Sequence, residues 1–177
     1  ALKYLERAFL ILNKYDELEN VADSLNNIGV IYKELGDYEK ALKYLSECLE
    51  YDREKNDIFS ISMDLCNIGT IYRRIGILNN DIQSLNKSLE IFEDCLELIQ
   101  KNEIKRIETE VLNNIGMIYC DLKMYDQALV HFNQALEDKN TTHPSETLSY
   151  IYNNLGIVYS RIFKIDKAIS AYRISAD

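Results

Sequence analysis

The sequence predicts an all-α protein built from repeated helix pairs, and three observations carry that prediction. Helix breakers are scarce, with Gly 6 and Pro 1 among 177 residues, whereas a sandwich or barrel needs many turns. A seven-residue segment, Asn26-Asn27-Ile28-Gly29-Val30-Ile31-Tyr32, returns at 66–72, 113–119 and 153–159, its glycines 40, 47 and 40 residues apart. A small–large–small signature also recurs: Ala1/Leu5/Ala8, Ala41/Leu45/Cys48, Ser88/Phe92/Cys95, Ala128/Phe132/Ala135 and Ala168/Tyr172/Ser175. From Ala8, Cys48, Cys95 and Ala135 to the next repeat glycine is always 21 residues. Self-similarity at such a period is the mark of a repeat array.

The elements follow in order. A leading second helix covers 1–13, and pairs follow at 17–35 with 38–55, 58–75 with 80–101, 104–122 with 125–138, and 144–162 with 165–177. As organisation this is one repeat array over 1–177: a leading half at 1–16, then repeats at 17–56, 57–102, 103–142 and a truncated 143–177. Asp37, Asn80 and Asp166 suit helix starts, and Gly36 and Gly76 suit helix ends. Pro144 fits a first helical turn, where its missing N–H costs nothing. Between Gly76 and Ser88 the spacing is seven residues longer than elsewhere. Seven residues shift helical phase by only about 20°, and Ile82, Leu85, Leu89, Phe92 and Leu96 continue one apolar stripe. The expectation is a second helix two turns longer at its N-terminus; the alternative is a longer turn at Asn79-Asn80-Asp81.

Gly29, Gly69, Gly116 and Gly156 fall mid-helix, where Gly costs about 1 kcal/mol against Ala. A repeated cost of that kind points to close helix–helix approach, with the small residues of the second helix as its other half. Tyr32, Tyr72, Tyr119 and Tyr159 share the face of those glycines and should fill the space between paired helices.

Composition sets the outer limits. Half of the chain (47%) is hydrophobic, enough for a core without disulfide or metal staples. The formal net charge is −9, from Lys+Arg 20 against Asp+Glu 29, which lacks the basic footprint of nucleic-acid binding. The longest apolar run, Ala8-Phe9-Leu10-Ile11-Leu12, is too short to span a bilayer. Four Cys without a CxxC pair read as reduced thiols of a cytoplasmic chain. The chain opens at Ala1 without a signal peptide and reads as a piece of a longer array.

The Leu/Ile-Gly-x-x-Tyr element beside the small–large–small spacing resembles the tetratricopeptide repeat, over essentially the whole chain. The resemblance implies antiparallel helices A and B stacked into a right-handed α-α superhelical solenoid. Two family features are missing: an aromatic ahead of the Leu-Gly pair, where Leu25, Leu65 and Leu112 stand, and a closing proline. Both absences fit the longer variants of about 40 residues, similar to kinesin light chain, Pins-type and Rap/PlcR-type repeats.

No catalytic constellation is present: no phosphate loop, no G-x-G-x-x-G and no H-E-x-x-H. The expectation is no enzyme, no cofactor and no metal site. His131 should face solvent beside core Phe132, and His143 should sit in a loop. Glu47, Glu50, Glu93, Glu97 and Glu137 read as a solvated outer face. Cys48 and Cys95 occupy the small core position; Cys66 and Cys120 point by phase to the inner surface.

The asparagines are the informative polar feature. Asn27, Asn67, Asn114 and Asn154 stand two residues before each repeat glycine, doubled by Asn26, Asn113 and Asn153, with Cys66 as the exception. Asn is a poor mid-helix residue, so a ladder at one phase needs a use. An amide both donates and accepts, and can hold a peptide main chain with little regard to sequence; the resemblance implies the same. Hydrogen bonding between repeats is the other use open to it. Lys33, Arg73, Arg74 and Arg161 add positive charge on the expected inner face, where Arg suits a carboxylate. Val30, Thr70, Met117 and Ile157 directly follow the glycines, where chaperone-tail clamps of the family place Asn, so that mode is disfavoured. The reading is a non-catalytic module binding a protein or an extended peptide in its concave groove, with no nucleic acid and no membrane. The alternative is a ligand-sensing region of a larger signalling protein, like the Rap/PlcR peptide receptors.

Overall fold

The computed structural model describes residues 18–137 and 145–176. The expected leading helix at 1–13, His143 and Pro144 lie outside the described residues. Eight α-helices are present among these: α1 Leu18–Leu35, α2 Tyr38–Lys55, α3 Ile58–Asn79, α4 Ile82–Lys101, α5 Glu108–Asp121, α6 Tyr125–Glu137, α7 Ser145–Arg161 and α8 Ile165–Ala176. A short 3-10 turn, Lys105–Ile107, leads into α5. No strand occurs among the described residues, and no helix there is long and apolar enough to cross a membrane. The chain forms two compact units, residues 1–98 and 99–177.

One closure device ends six of the helical segments. Gly36, Asn56, Asn80, Glu103, Lys123 and Phe163 have left-handed backbone, with φ between 51° and 79°. The next residue then donates its N–H to the carbonyl five positions back: Asp37 to Tyr32, Asp57 to Asp52, Asp81 to Gly76, Ile104 to Ile99, Met124 to Tyr119 and Lys164 to Tyr159, at 2.8 to 3.1 Å. This is the 6→1 bond of a Schellman turn, which satisfies carbonyls the helix leaves open. In the first unit the residue that closes one helix also caps the next. Asp37 accepts from the Lys40 N–H, Asp57 from those of Phe59 and Ser60, and Asp81 from those of Gln83 and Ser84.

The seven extra residues are divided between both helices of their pair. α3 runs to Asn79, four residues further past its glycine than α1, and α4 begins three residues further ahead of Ser88 than α2 begins ahead of Ala41. The turn itself keeps the common closure, so neither a two-turn extension of the second helix nor a longer turn is found. Gly76 therefore does not end a helix. It is buried inside α3, and a Cβ there would lie 2.7 Å from Leu85 and 3.0 Å from the Asp81 carbonyl. Asn80 is the left-handed closing residue, and Asp81 is the cap. Ile82 is exposed; the buried stripe of α4 is Leu85, Ser88, Phe92, Cys95 and Ile99.

The repeat glycines mark close approach, but to the large residue of the signature rather than the small ones. A Cβ on Gly29 would lie 2.6 Å from Leu45, on Gly69 2.7 Å from Phe92, on Gly116 2.6 Å from Phe132 and on Gly156 2.5 Å from Tyr172. The small residues act on the backbone beside them. Ser88 donates its hydroxyl to the Gly69 carbonyl at 2.7 Å, and a Cβ on Gly29 would lie 3.4 Å from the Ala41 carbonyl. The tyrosines three residues on cover the same seam. Tyr32 stacks on Tyr44 at 5.7 Å, and Tyr119 stacks on His131 at 5.3 Å. His131 is thus half-buried against the half-buried Tyr119 ring and not fully solvent-facing. Cys66 is buried with its Sγ 3.9 Å from that of Cys95, so it faces the paired helix instead of an inner surface.

Helix propensity alone would make Gly69→Ala stabilising by about 1 kcal/mol. Overpacking against Phe92 reverses the sign, and we expect a loss of about 1–3 kcal/mol in urea unfolding. The double variant Gly69→Ala/Phe92→Leu should be more stable than the sum of its single changes allows.

Candidate functional site

In the first unit the ladder asparagines bond each other across consecutive first helices. Asn67 on α3 donates Nδ2–H to the Oδ1 of Asn26 on α1 at 3.3 Å, and its own Oδ1 accepts from the Lys33 ammonium at 2.9 Å. The second unit repeats the bond one helix pair apart. Asn154 on α7 donates to the Oδ1 of Asn113 on α5 at 2.9 Å, and Asn154 is buried. Asn114 instead donates to the Glu110 carbonyl of its own helix at 3.0 Å. Asn27 and Asn153 are exposed. The structure thus brings together Asn26 with Asn67 and Lys33, and Asn113 with Asn154. Arg73 is half-buried on α3, while Arg74 and Arg161 are exposed.

A cavity opens beside each pair. In the first unit it measures about 360 Å³ between α1, α2 and the start of α3, with Asn26 in its wall. In the second it measures about 300 Å³ between α5 and α7, with Asn113, Asn114, Glu110 and Tyr150 in its wall. Asn26 and Asn113 act as acceptors in their pairs, which leaves their NH2 groups outside that bond. An amide held from one side and open on the other is a fixed donor.

The floor of the first cavity holds a group that sequence reasoning missed. Cys48 and Asp52 of α2 and Asp64 of α3 are all buried, with one ligand-type atom of each within 4.8 Å of the others. The Cys48 thiol donates to the Ala22 carbonyl at 3.2 Å and lies 3.9 Å from an Asp52 oxygen. Oδ2 of Asp64 has no hydrogen-bond partner, although the residue is only 2% exposed. Burial pushes the Asp64 carboxyl up to about 7, with the Asp52 charge adding to the rise. Burial likewise raises Asp52. Cys48 is raised by burial and by both neighbouring acids, so its thiol stays protonated, which makes it a poor ligand for a metal ion.

A signal for this group was present in the repeat register. Asp52 is four residues from core Cys48 and shares its face; its counterparts are Leu12, Ile99 and Lys139. Asp64 falls four residues before Ile68 and seven before Ile71, and its counterparts are Ser24, Val111 and Ile151. Ile99, Val111 and Ile151 are buried. Two acids thus stand at positions where Ile99, Val111 and Ile151 are buried in other repeats, while Ser24 and Lys139 show that neither position is uniformly aliphatic.

A family model described as tetratricopeptide repeat matches residues 1–54, 67–138 and 107–174. No curated protein matches the chain. Among solved structures, BtubC (BKLC) from P. vanneervenii superposes with a TM-score of 0.75 at 19% identity, over 99% of this chain and 68% of that one. A putative kinesin light chain with nearly identical TPR-like repeats from Podosopora anserina gives 0.73 at 14%, over 99% and 83%. A Rap protein complexed with competence and sporulation factor gives 0.72 at 14%, over 97% of this chain and 56% of that one.

The Asp64 carboxyl, ordinarily near 3.8, stands near 7 in the folded chain, so the fold prefers it protonated. Its contribution is complete below about pH 4 and is lost as pH rises to about 7. The capping carboxyls Asp37, Asp57 and Asp81 are lowered and act in the opposite sense, so the comparison is with a variant. Melting temperatures should fall more between pH 5 and pH 8 in the native chain than in Asp64→Asn. Restoring the repeat register with Asp52→Ile and Asp64→Val should stabilise the chain by about 1–4 kcal/mol, read by urea unfolding at pH 8.

Proposed function

The chain belongs to the tetratricopeptide repeat family, and on that footing we propose that it is a non-catalytic interaction module holding an extended peptide segment along consecutive first helices within a unit, α1 with α3 or α5 with α7. The observation that carries the reading is the paired carboxamide. Asn26 with Asn67, and Asn113 with Asn154, present oriented amides at the edge of cavities of about 360 and 300 Å³. A peptide offers one N–H and one carbonyl per residue, and amides pair with either without reading the side chain. The first-to-second-helix seams are filled by glycine and aromatic packing, which leaves the face between the two first helices of each unit for a ligand. Lys33 is already tied to Asn67, so its role is to orient that amide; Arg74 and Arg161 are the exposed cations of the set.

A second reading follows from the same bonds. A ligand that takes Oδ1 of Asn67 competes with Lys33 and alters the link between α1 and α3, and the Rap protein of similar fold was solved with a bound factor. In this reading the module senses its ligand within a larger signalling protein, beyond the static scaffold of the first.

The test is an array of random 12-residue peptides probed with the native chain and with Asn67→Ala/Asn114→Ala. Each lost hydrogen bond is worth about 1 kcal/mol, so the double change should weaken binding by at least tenfold, with helical circular dichroism retained and melting lowered only by the Asn67–Asn26 and Lys33–Asn67 bonds it also removes. Binding that survives the double change, or is lost only together with the fold, overturns the groove reading.

A further inference from the structure

We propose that the cavity between α1, α2 and the start of α3 takes the ammonium group of a lysine side chain from the bound segment, with Asp64 and Asp52 as its counter-charges. The proposal rests on the peptide-binding reading and names the side chain that reading leaves open.

Three observations support it. The first is the departure from register: Asp52 and Asp64 stand at positions where four of six counterparts are aliphatic (Leu12, Ile99, Val111 and Ile151), the others being Ser24 and Lys139. Burial raises both carboxyls, and Lys55 offsets this only at Asp52; a buried acid without its own counter-ion destabilises a fold, so Asp64 carries a cost that an aliphatic residue would remove. The second is Asp64, a cavity-lining residue only 2% exposed, whose Oδ2 has no hydrogen-bond partner. The third is the cavity's size and lining. About 360 Å³ lies at the lower end of ligand cavities, which run from about 300 to 1,000 Å³, and exceeds what a bare ion fills. Ala22, Phe59 and Met63 in its wall suit an aliphatic stem, which long basic side chains lay along apolar surface. Its mouth carries Asn26, whose partner Asn67 belongs to the ladder.

The charges that face the site come from all three helices. Asp23 lies on α1, and Asp52 and Lys55 lie on α2 with the Cys48 thiol. Asp57 and Asp64 belong to the cap and first turns of α3, where the Asp57 carboxylate is engaged by the Phe59 and Ser60 N–H groups. Lys55 is the one basic residue among those described in the lining, against four aspartates. An incoming ammonium favours the ionised form of Asp64, so binding strengthens as pH rises through about 7.

The probe is n-butylammonium, a lysine side chain without its backbone, titrated into the full chain with the Asp64 carboxyl followed by 13C NMR. n-Butanol is the neutral control, and zinc chloride alone is the metal control. Saturable binding in the millimolar range at pH 8 is expected, at least tenfold weaker at pH 5.5 and in Asp64→Asn, and absent for n-butanol. Asp64→Asn is close in shape and removes a buried charge, so it keeps the fold, and Asp52→Asn provides the second variant. On the peptide array the native chain should favour lysine-containing sequences, and Asp64→Asn should lose that preference. No amine response, or equal responses to butanol and amine, overturns the proposal. Zinc that binds tightly and abolishes the amine response does the same in favour of a metal site. An amine response without lysine preference assigns the cavity to free alkylamines and overturns the peptide source. An amine response with no peptide binders overturns the groove reading while the cation pocket stands; binders without an amine response overturn the pocket alone.

Discussion

The contact on which the rest depends is the approach of a helix backbone to one large side chain. At Gly29, Gly69, Gly116 and Gly156 the absent Cβ leaves a gap that Leu45, Phe92, Phe132 or Tyr172 fills at under 3 Å from where that atom would be. Nothing but glycine accepts the neighbour at that distance, and the cost of a mid-helix glycine is offset by burial of a large apolar group. The contact fixes the rotation and axial register of each helix pair. Once it is set, the residues two and three positions before the glycine have a defined direction, and so do the tyrosines three positions after it.

The asparagines occupy that defined direction. In both units the same bond forms, from the second Asn of one first helix to the first Asn of the one before, 41 residues apart in sequence. A buried amide without partners is expensive, and the pairing removes that expense while leaving one NH2 group of each pair outside the bond. A structural bond and a recognition surface are therefore compatible in one residue set. Asn114, by contrast, bonds the Glu110 carbonyl of its own helix.

The acid cluster departs from the consistency of the remaining core. Most buried positions follow the repeat register with aliphatic or aromatic residues, whereas Asp52 and Asp64 place two acids beside a thiol with an oxygen left unpaired. Local rules broken at one place in an otherwise consistent fold mark a functional site more often than a packing solution. The cluster lies at the same cavity as Asn26, which joins the departure to the surface that the ladder defines.

The sequence by itself determined the helix pairs to within a residue or two at most boundaries, the glycine register and the position of the ladder. These are all encoded in spacing, and helical periodicity turns spacing into direction. Three things only the tertiary structure decided. The seven extra residues were divided between α3 and α4 because the turn keeps its closing hydrogen bond, and length alone does not say which helix absorbs an insertion. His131 and Cys66 were turned inward by the seams they meet, a matter of neighbours from another helix. The meeting of Cys48, Asp52 and Asp64 joins side chains of two helices around one cavity, and its energetics come from burial, which a residue's own identity does not specify.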